Sequence, residues 1–454
     1  MAQPTAPESP AEPAAADSRW GGPKAALAAV LALAAALRLI GIRHGLPYPG
    51  LVDPGEQGVV SRAWRMSHGD GFDPHSFRTP PGFLDLLAVV EAPFAHPSLL
   101  AARLLVAALA VGAVAATWWL ASTYGLVPGA VAALVVAVET AHVAHAHAAL
   151  PVEAVTLGIA LALALAVRGR LLWAALATGV ATSIGYGAIL LLVPLVLLGW
   201  RNPRRLALAG VAYLAGFLLL SPFALVHPGR FAEDAWHAAR GLTHIGFGYE
   251  HDDWAGFAYI GHLWHGLGPV LLVALLGLGL AVAQRKQAAD LLLPAFLGSV
   301  FVVLLATSAH PDRYTLALLP PLAALAGRVR YLASVTLLLL IVPLTWAVRA
   351  DVALTRKDTR VAALEWIATN VPAGVALAED PFLPPPPGLR VISLGLPRDP
   401  ARSIAVLRLQ NVAYVLVTGA VADPVLAARN RYPVEARFYD ELARRKPLLR
   451  LDGT

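Results

Sequence analysis

The chain of 454 residues contains no cysteine, so neither a disulfide framework nor a thiolate metal site is open to it. Charge is scarce as well. Asp, Glu, Lys and Arg make up 14% of the residues against 57% hydrophobic, and the mean hydropathy is +0.63. Soluble domains carry roughly 25% charged residues, so one water-soluble core is excluded and lipid must serve as solvent. The formal net charge of +6 is no nucleic-acid signature, because the arginines stand at the ends of apolar runs and not in one patch.

What is present is a succession of apolar runs. Measured against the ~20 residues that cross hydrocarbon, they predict an α-helical polytopic membrane protein with about eleven spans. These fall near 24–43, 99–122, 127–142, 153–168, 171–184, 186–199, 206–226, 263–283, 289–308, 314–327 and 331–349. Short runs such as 186–199 must be tilted, broken or shielded by neighbours. Arg168 and Arg170, Arg201 with Arg204 and Arg205, Arg285 with Lys286, and Arg328 with Arg330 fall on alternate turns. That side is therefore expected to be cytoplasmic and to hold the N-terminus, with the C-terminal region outside.

Three further regions differ from the spans. Residues 1–22, rich in Ala, Pro and Ser, read as a disordered cytoplasmic tail ahead of a transmembrane domain over 23–349. No small-residue cleavage site follows 25–42, so the first span is expected to be retained. The external loop 44–98 predicts two helices lying along the interface, at 59–66 and 82–94, joined by the turn at Gly69-Asp70-Gly71. Residues 350–454 predict a small α/β domain, with a helix over 358–370 and strands at 375–379, 391–394 and 413–418.

Acids are rare along residues 1–350, yet several crowd the outward connections: Asp53, Glu56, Glu153, and Glu250 with Asp252 and Asp253. Ionisable groups at the rim of a bundle are costly unless solvated, paired or working, so each is a functional-site hypothesis. The motifs around them run in order: Val52-Asp53-Pro54-Gly55-Glu56, Gly69-Asp70-Gly71-Phe72-Asp73-Pro74, Arg78-Thr79-Pro80-Pro81, and His147-Ala148-Ala149-Leu150-Pro151-Val152-Glu153. Later come Ser221-Pro222-Phe223, His244-Ile245-Gly246-Phe247-Gly248, Asp312-Arg313-Tyr314 and Asp358-Thr359-Arg360. As a set they resemble the GT-C glycosyltransferases, in particular bacterial relatives of the protein O-mannosyltransferases and of the lipid A aminoarabinose transferase. The first motif departs from the family pattern, with Gly55 at the usual Asp position. A lysine frequent in relatives near 183–187 is missing.

The resemblance implies a multi-pass glycosyltransferase of the bacterial inner membrane. It would take a sugar from a polyprenyl-phosphate donor and pass it to an acceptor (protein, lipid or glycan) on the outer side. Such a transfer needs a carboxylate to take the acceptor proton, and here Asp53 or Glu56 is implied. It also needs positive charge or donors against the leaving phosphate, implied at Arg78, His244, Arg313 and Tyr314. A divalent metal (Mg, Mn or Zn) held by Glu56, Glu153 and His147 would serve the same end.

Each candidate also has a plain structural reading. Asp53 suits a helix cap, Glu153 an acid favoured by its helix dipole, and His142, His145 and His147 a polar loop. Arg78 and Arg313 suit interfacial snorkelling, and Glu250–Asp253 a solvated loop. The rival functional reading is a non-catalytic polyprenyl-lipid binding or transport protein on the same scaffold.

Overall fold

The computed structural model describes residues 18–48, 50–242, 247, 254–397 and 402–451. Helix α1 (Ser18–Leu39) leads into the first loop, which carries α2 (Pro54–Arg65) and α3 (Gly82–Glu91). The bundle continues through α4 (Leu99–Ala121), α5 (Leu126–Val138), the short α6 (Thr140–His145), α7 (Val152–Ala166) and α8 (Leu171–Ile184). Next are α9 (Leu192–Gly199), α10 (Pro203–Leu219), α11 (Phe223–Val226) and α12 (Pro228–Gly241). The bundle closes with α13 (Ala255–Leu267), α14 (Val270–Gln284), α15 (Ala289–Leu305), α16 (Leu319–Arg328), α17 (Ala333–Leu339) and α18 (Ile341–Leu354).

Local chemistry sets the boundaries. Asp53 caps α2 ahead of Pro54, Ser98 Oγ accepts from Ala101 N to start α4, and Asn202 caps α10 ahead of Pro203. The expected straight span over 263–283 is instead two helices. Gly268 takes a positive φ of 57°, Pro269 has no amide to continue the ladder, and α13 meets α14 at 114°. By length and composition, two helical runs among the described residues can cross a membrane, Leu99–Tyr124 and Arg330–Asn370, or three if the bent pair is one span. Five apolar helices, Leu126–Val138, Val152–Ala166, Leu171–Ile184, Tyr186–Gly199 and Ala289–Leu305, are shorter than that, so the expected eleven spans exceed what length and composition alone supply.

One apolar core runs through α1, α4, α5, α7, α8 and α14 to α16, and a second joins α2 and α3 to α4 and α8. Small residues let the helices approach, as they do in membrane bundles. A Cβ on Gly179 would lie 2.0 Å from Tyr213 O and one on Gly216 2.1 Å from Leu176 O, so α8 and α10 cross at a glycine pair.

The chain ends in a domain of α19 (Thr359–Asn370), β1 (Ala376–Glu379), β2 (Arg390–Ser393), α20 (Ile404–Leu409), β3 (Val412–Leu416), α21 (Gly419–Ala427) and α22 (Pro433–Ala443). Its strands form a parallel sheet in the order β2-β1-β3, with Ala376 opposite both Arg390 and Val412. Side chains of Ile367, Val371 and Leu377 form one apolar layer, and Ala378, Leu407, Val421, Val425 and Phe438 another. The domain is tied to the first loop. His44 Nε2 lies 3.2 Å from Asp358 Oδ2, Arg360 hydrogen-bonds Leu51 O, and the Asp358 contact outweighs burial to raise the His44 pKa.

Candidate functional site

The first-loop acids meet opposite fates. Asp53 stays partly open to solvent at the N-terminus of α2, where Oδ1 accepts the Gly55 amide at 2.7 Å. A Cβ at Gly55 would come within 3.1 Å of that oxygen, so the carboxylate folds over the bare glycine backbone. Among the described residues no cation pairs with it. Glu56, one turn further, is withdrawn completely from solvent. Arg103 of α4 grips it in a bidentate pair, Nε to Oε1 at 2.6 Å and Nη2 to Oε2 at 2.8 Å, and Ala149 N adds a bond to Oε1 at 3.1 Å. The spare donor of Arg103 reaches Ile42 O and His44 O, so one buried pair pins α2, the chain after α1 and the turn before α7.

Glu153 faces a different partner. Arg38 Nη2 donates to His142 Nδ1 at 2.5 Å, and His142 Nε2 stands 2.9 Å from Glu153 Oε2, all three side chains fully buried. Arginine can only donate, so His142 must accept at Nδ1 and carry its proton on Nε2, facing the carboxylate. Arg38 also bonds the carbonyls of Ala34, Val136 and Ala137, and Glu139 caps α6 through His142 N at 2.6 Å. His147 presents Nδ1 to Val143 O at 2.9 Å and Nε2 to Ile40 O at 2.8 Å. Asp351 is buried beside it, its Oδ1 3.9 Å from Nε2.

The metal set of Glu56, Glu153 and His147 is therefore not brought together. Glu56 is closed into the Arg103 pair, Glu153 stands against His142, and each His147 ring nitrogen faces a backbone carbonyl oxygen. Among the described residues no group of three or more His, Cys, Asp or Glu could hold a metal. Among the described residues, Glu56, Glu153 and His147 do not fit the implied ion.

The phosphate candidates are spread. Arg78 is 70% exposed, with Nε 3.6 Å from Asp234 Oδ1. Asp234 also accepts Phe77 N at 2.7 Å, and His227 Nε2 meets Asp73 Oδ2 at 2.9 Å, so the loop 72–78 is docked on α12. Burial works against the Asp73 charge, but the His75 amide and the His227 ring hold its pKa below the ordinary range. Arg313 and Tyr314 follow Asp312, whose Oδ1 lies 3.2 Å from His145 Nε2, and the guanidinium sits 5.9 Å from the Tyr314 ring centroid. His244 and the acids Glu250, Asp252 and Asp253 lie outside the described residues, as do 1–17 of the expected tail.

Several of these partners are invisible to motif reading. Arg38, Arg103, Glu139 and Asp351 each interrupt or flank an apolar run, and an ionisable residue within such a run is the signal that marks them. Spacing does not reveal whom they meet.

No family model matches the sequence, and no curated protein matches it. Solved structures do. The crystal structure of ArnT from Cupriavidus metallidurans bound to undecaprenyl phosphate matches with a TM-score of 0.55 at 15% identity, covering 89% of this chain and 91% of that one. The apo oligosaccharyltransferase of Archaeoglobus fulgidus matches with a TM-score of 0.55 at 11% identity, covering 80% of this chain and 62% of that one. The same enzyme in complex with Zn and sulfate gives 0.51 at 12% identity, covering 91% and 70%. The chain thus spans about three fifths of the apo oligosaccharyltransferase it matches. At these identities the likeness is one of fold, which this chain shares with both enzymes.

Proposed function

We propose that this protein transfers a sugar from a polyprenyl-phosphate-linked donor to an acceptor on the outer side of the membrane, with Asp53 as general base. The observation that carries the reading is the contrast at the first loop, where Asp53 keeps a partly exposed carboxylate without a cation while Glu56 is closed into the Arg103 pair. In the step, an acceptor hydroxyl or amine attacks the anomeric carbon and gives its proton to Asp53. The bond from that carbon to the phosphate oxygen breaks, and the polyprenyl phosphate leaves with the negative charge. Arg78, Arg313, Tyr314 and His244 are the proposed groups facing that charge. No step is routed through a metal. The neighbour solved with undecaprenyl phosphate supports the donor class.

The reading also puts the face bearing residues 44–98 and the C-terminal domain on the outside of a bacterial inner membrane. It is supported by the arginines of the loops near 168, 201–205, 285 and 328, which belong to the other end of the bundle.

The test is transfer of labelled sugar from a panel of polyprenyl-phosphate donors by the purified protein, with Asp53→Asn as its control. The second reading, a polyprenyl-lipid binding protein, is favoured by Gly55 and by the scattered metal candidates. Tight lipid binding without transfer from any donor would select it.

A further inference from the structure

The sheet of the C-terminal domain is open along one side. β3 is an edge strand, and among the described residues no strand pairs with its outer edge. Leu416 O accepts Asp380 N at 3.0 Å, so the backbone of Leu416 faces β1. Backbone direction alternates along a strand, which turns the N–H and C=O of Val415 outward. Val417 is the first residue past β3, and the chain stays extended there up to Thr418 (φ −114°, ψ 139°), which carries the alternation on to it. A trough of about 770 Å³ runs there, lined by every residue from Val412 to Gly419. Successive side chains point to opposite faces of a sheet. Lining by all of them places the trough beside the strand edge and not over one face.

Its walls are apolar and its rim is basic. Trp366 and Ile367 of α19 stand on one side, Leu407 of α20 and Leu442 of α22 on the other. Arg360, Arg408, Arg445, Lys446 and Arg450 line it, with no Asp or Glu among the lining residues. Arg360 and Arg445 also meet carboxylates, Asp358 at 2.7 Å and Glu441 at 3.7 Å, which trims the positive field without reversing it.

We propose that this trough docks an extended, acidic stretch of polypeptide, which adds to β3 as a fourth strand. The outward amides and carbonyls of Val415 and Val417 pair with its backbone, the apolar walls take alternate side chains, and the basic rim takes the acids between them. An anionic lipid would use the walls and the rim but leave the strand edge idle. The edge is what favours a peptide. The proposal does not depend on the transferase reading.

The experiment titrates the full chain in zwitterionic nanodiscs with a fluorescein-labelled octapeptide alternating valine and glutamate, read by anisotropy. Saturable binding is expected, weakened about tenfold by Val417→Pro, the scale of one lost main-chain hydrogen bond. Proline is tolerated at a strand edge whose amide points away from the sheet, and an unchanged unfolding midpoint verifies the fold of that variant. Should it unfold, N-methylation of the octapeptide at alternate residues removes the same pairing from the ligand side. Arg445→Glu with Lys446→Glu should weaken binding too, and replacing glutamate by lysine in the peptide should abolish it. Equal binding of the lysine peptide, indifference to backbone methylation, or no binding up to about 1 mM would overturn the proposal. So would displacement of the peptide by short-chain phosphatidic acid whose own binding is unchanged by Val417→Pro.

Discussion

At one end of the bundle the arginines sit at the rim. Arg168 donates to Ser122 Oγ at 2.8 Å, and Arg328 grips Asp290 at 2.7 Å, with Tyr124 adding a bond to the same carboxylate at 3.0 Å. At the other end Arg38 and Arg103 are withdrawn from solvent altogether; Arg103 grips Glu56 directly, and Arg38 holds His142, which stands against Glu153. The rim arginines keep part of their surface open to solvent, Arg328 with 10% of its side chain exposed. The buried ones do not, and their loss would strand a charge in a low-dielectric interior. At the deep end Glu56 and Glu153 are closed away from solvent, and Asp53 stands out as partly open.

The sharpest test of that contrast is topological. Cysteine in place of Asn202, at the rim-arginine end, should escape an impermeant thiol reagent applied from outside, whereas cysteine in place of Asp423 should label fully. Labelling of both positions, or of Asn202→Cys alone, reverses the orientation. Next in size is the deep pair. Arg103→Ala leaves Glu56 buried without its cation and should cost about 3–5 kcal/mol, the usual penalty for breaking a buried ion pair. Thermal unfolding of the purified protein measures it, and adding Glu56→Gln to remove the stranded charge should restore part of the loss. A midpoint equal to that of the parent chain would mean the pair contributes nothing.

Asp53→Asn addresses the open acid. Turnover should fall by ~10²-fold, the scale for losing a positioned acid–base group. Stability should change by no more than about 1 kcal/mol, because asparagine still caps a helix. Near-normal turnover would reduce Asp53 to a cap.

The smallest effect belongs to the C-terminal domain, where an acid is buried without the pairing seen at the deep end. Burial pushes Glu379 from 4.5 up to about 7. A pKa raised in the folded state means the stabilising contribution is complete below 4.5 and is lost as pH rises through about 7, where the buried group must ionise. Glu379→Gln should flatten the unfolding midpoint across that window. A slope unchanged from that of the parent chain would show that another group titrates.

The C-terminal domain was the most legible part of the fold. Its first helix and three strands fall within a residue or two of the runs predicted for them, because short apolar runs bounded by turn residues carry their own signal, whereas α20, α21 and α22 were not predicted. The two helices of the first loop were legible from their periodicity between turn residues, although α2 begins at Pro54, ahead of the run predicted at 59–66. The bend between α13 and α14 was missed, although Gly268-Pro269 lies within the first half of the expected span 263–283. An unbroken apolar run hides a local break from any reading based on hydropathy.

By itself the sequence determined where the apolar runs lie and where most helices begin, since burial cost and periodicity act over a few neighbouring residues, and it left Asp53 open between a helix cap and a base. Only the tertiary structure decided what each acid does. Glu56 meets Arg103 across 47 positions, and Glu153 meets a histidine held by Arg38, 104 positions before it. Such pairings depend on how helices rotate and stack against one another, set by the small residues at their crossings and by the need to neutralise every buried charge. No local spacing encodes that geometry, which is why acids that read alike as motifs came to rest in such different surroundings.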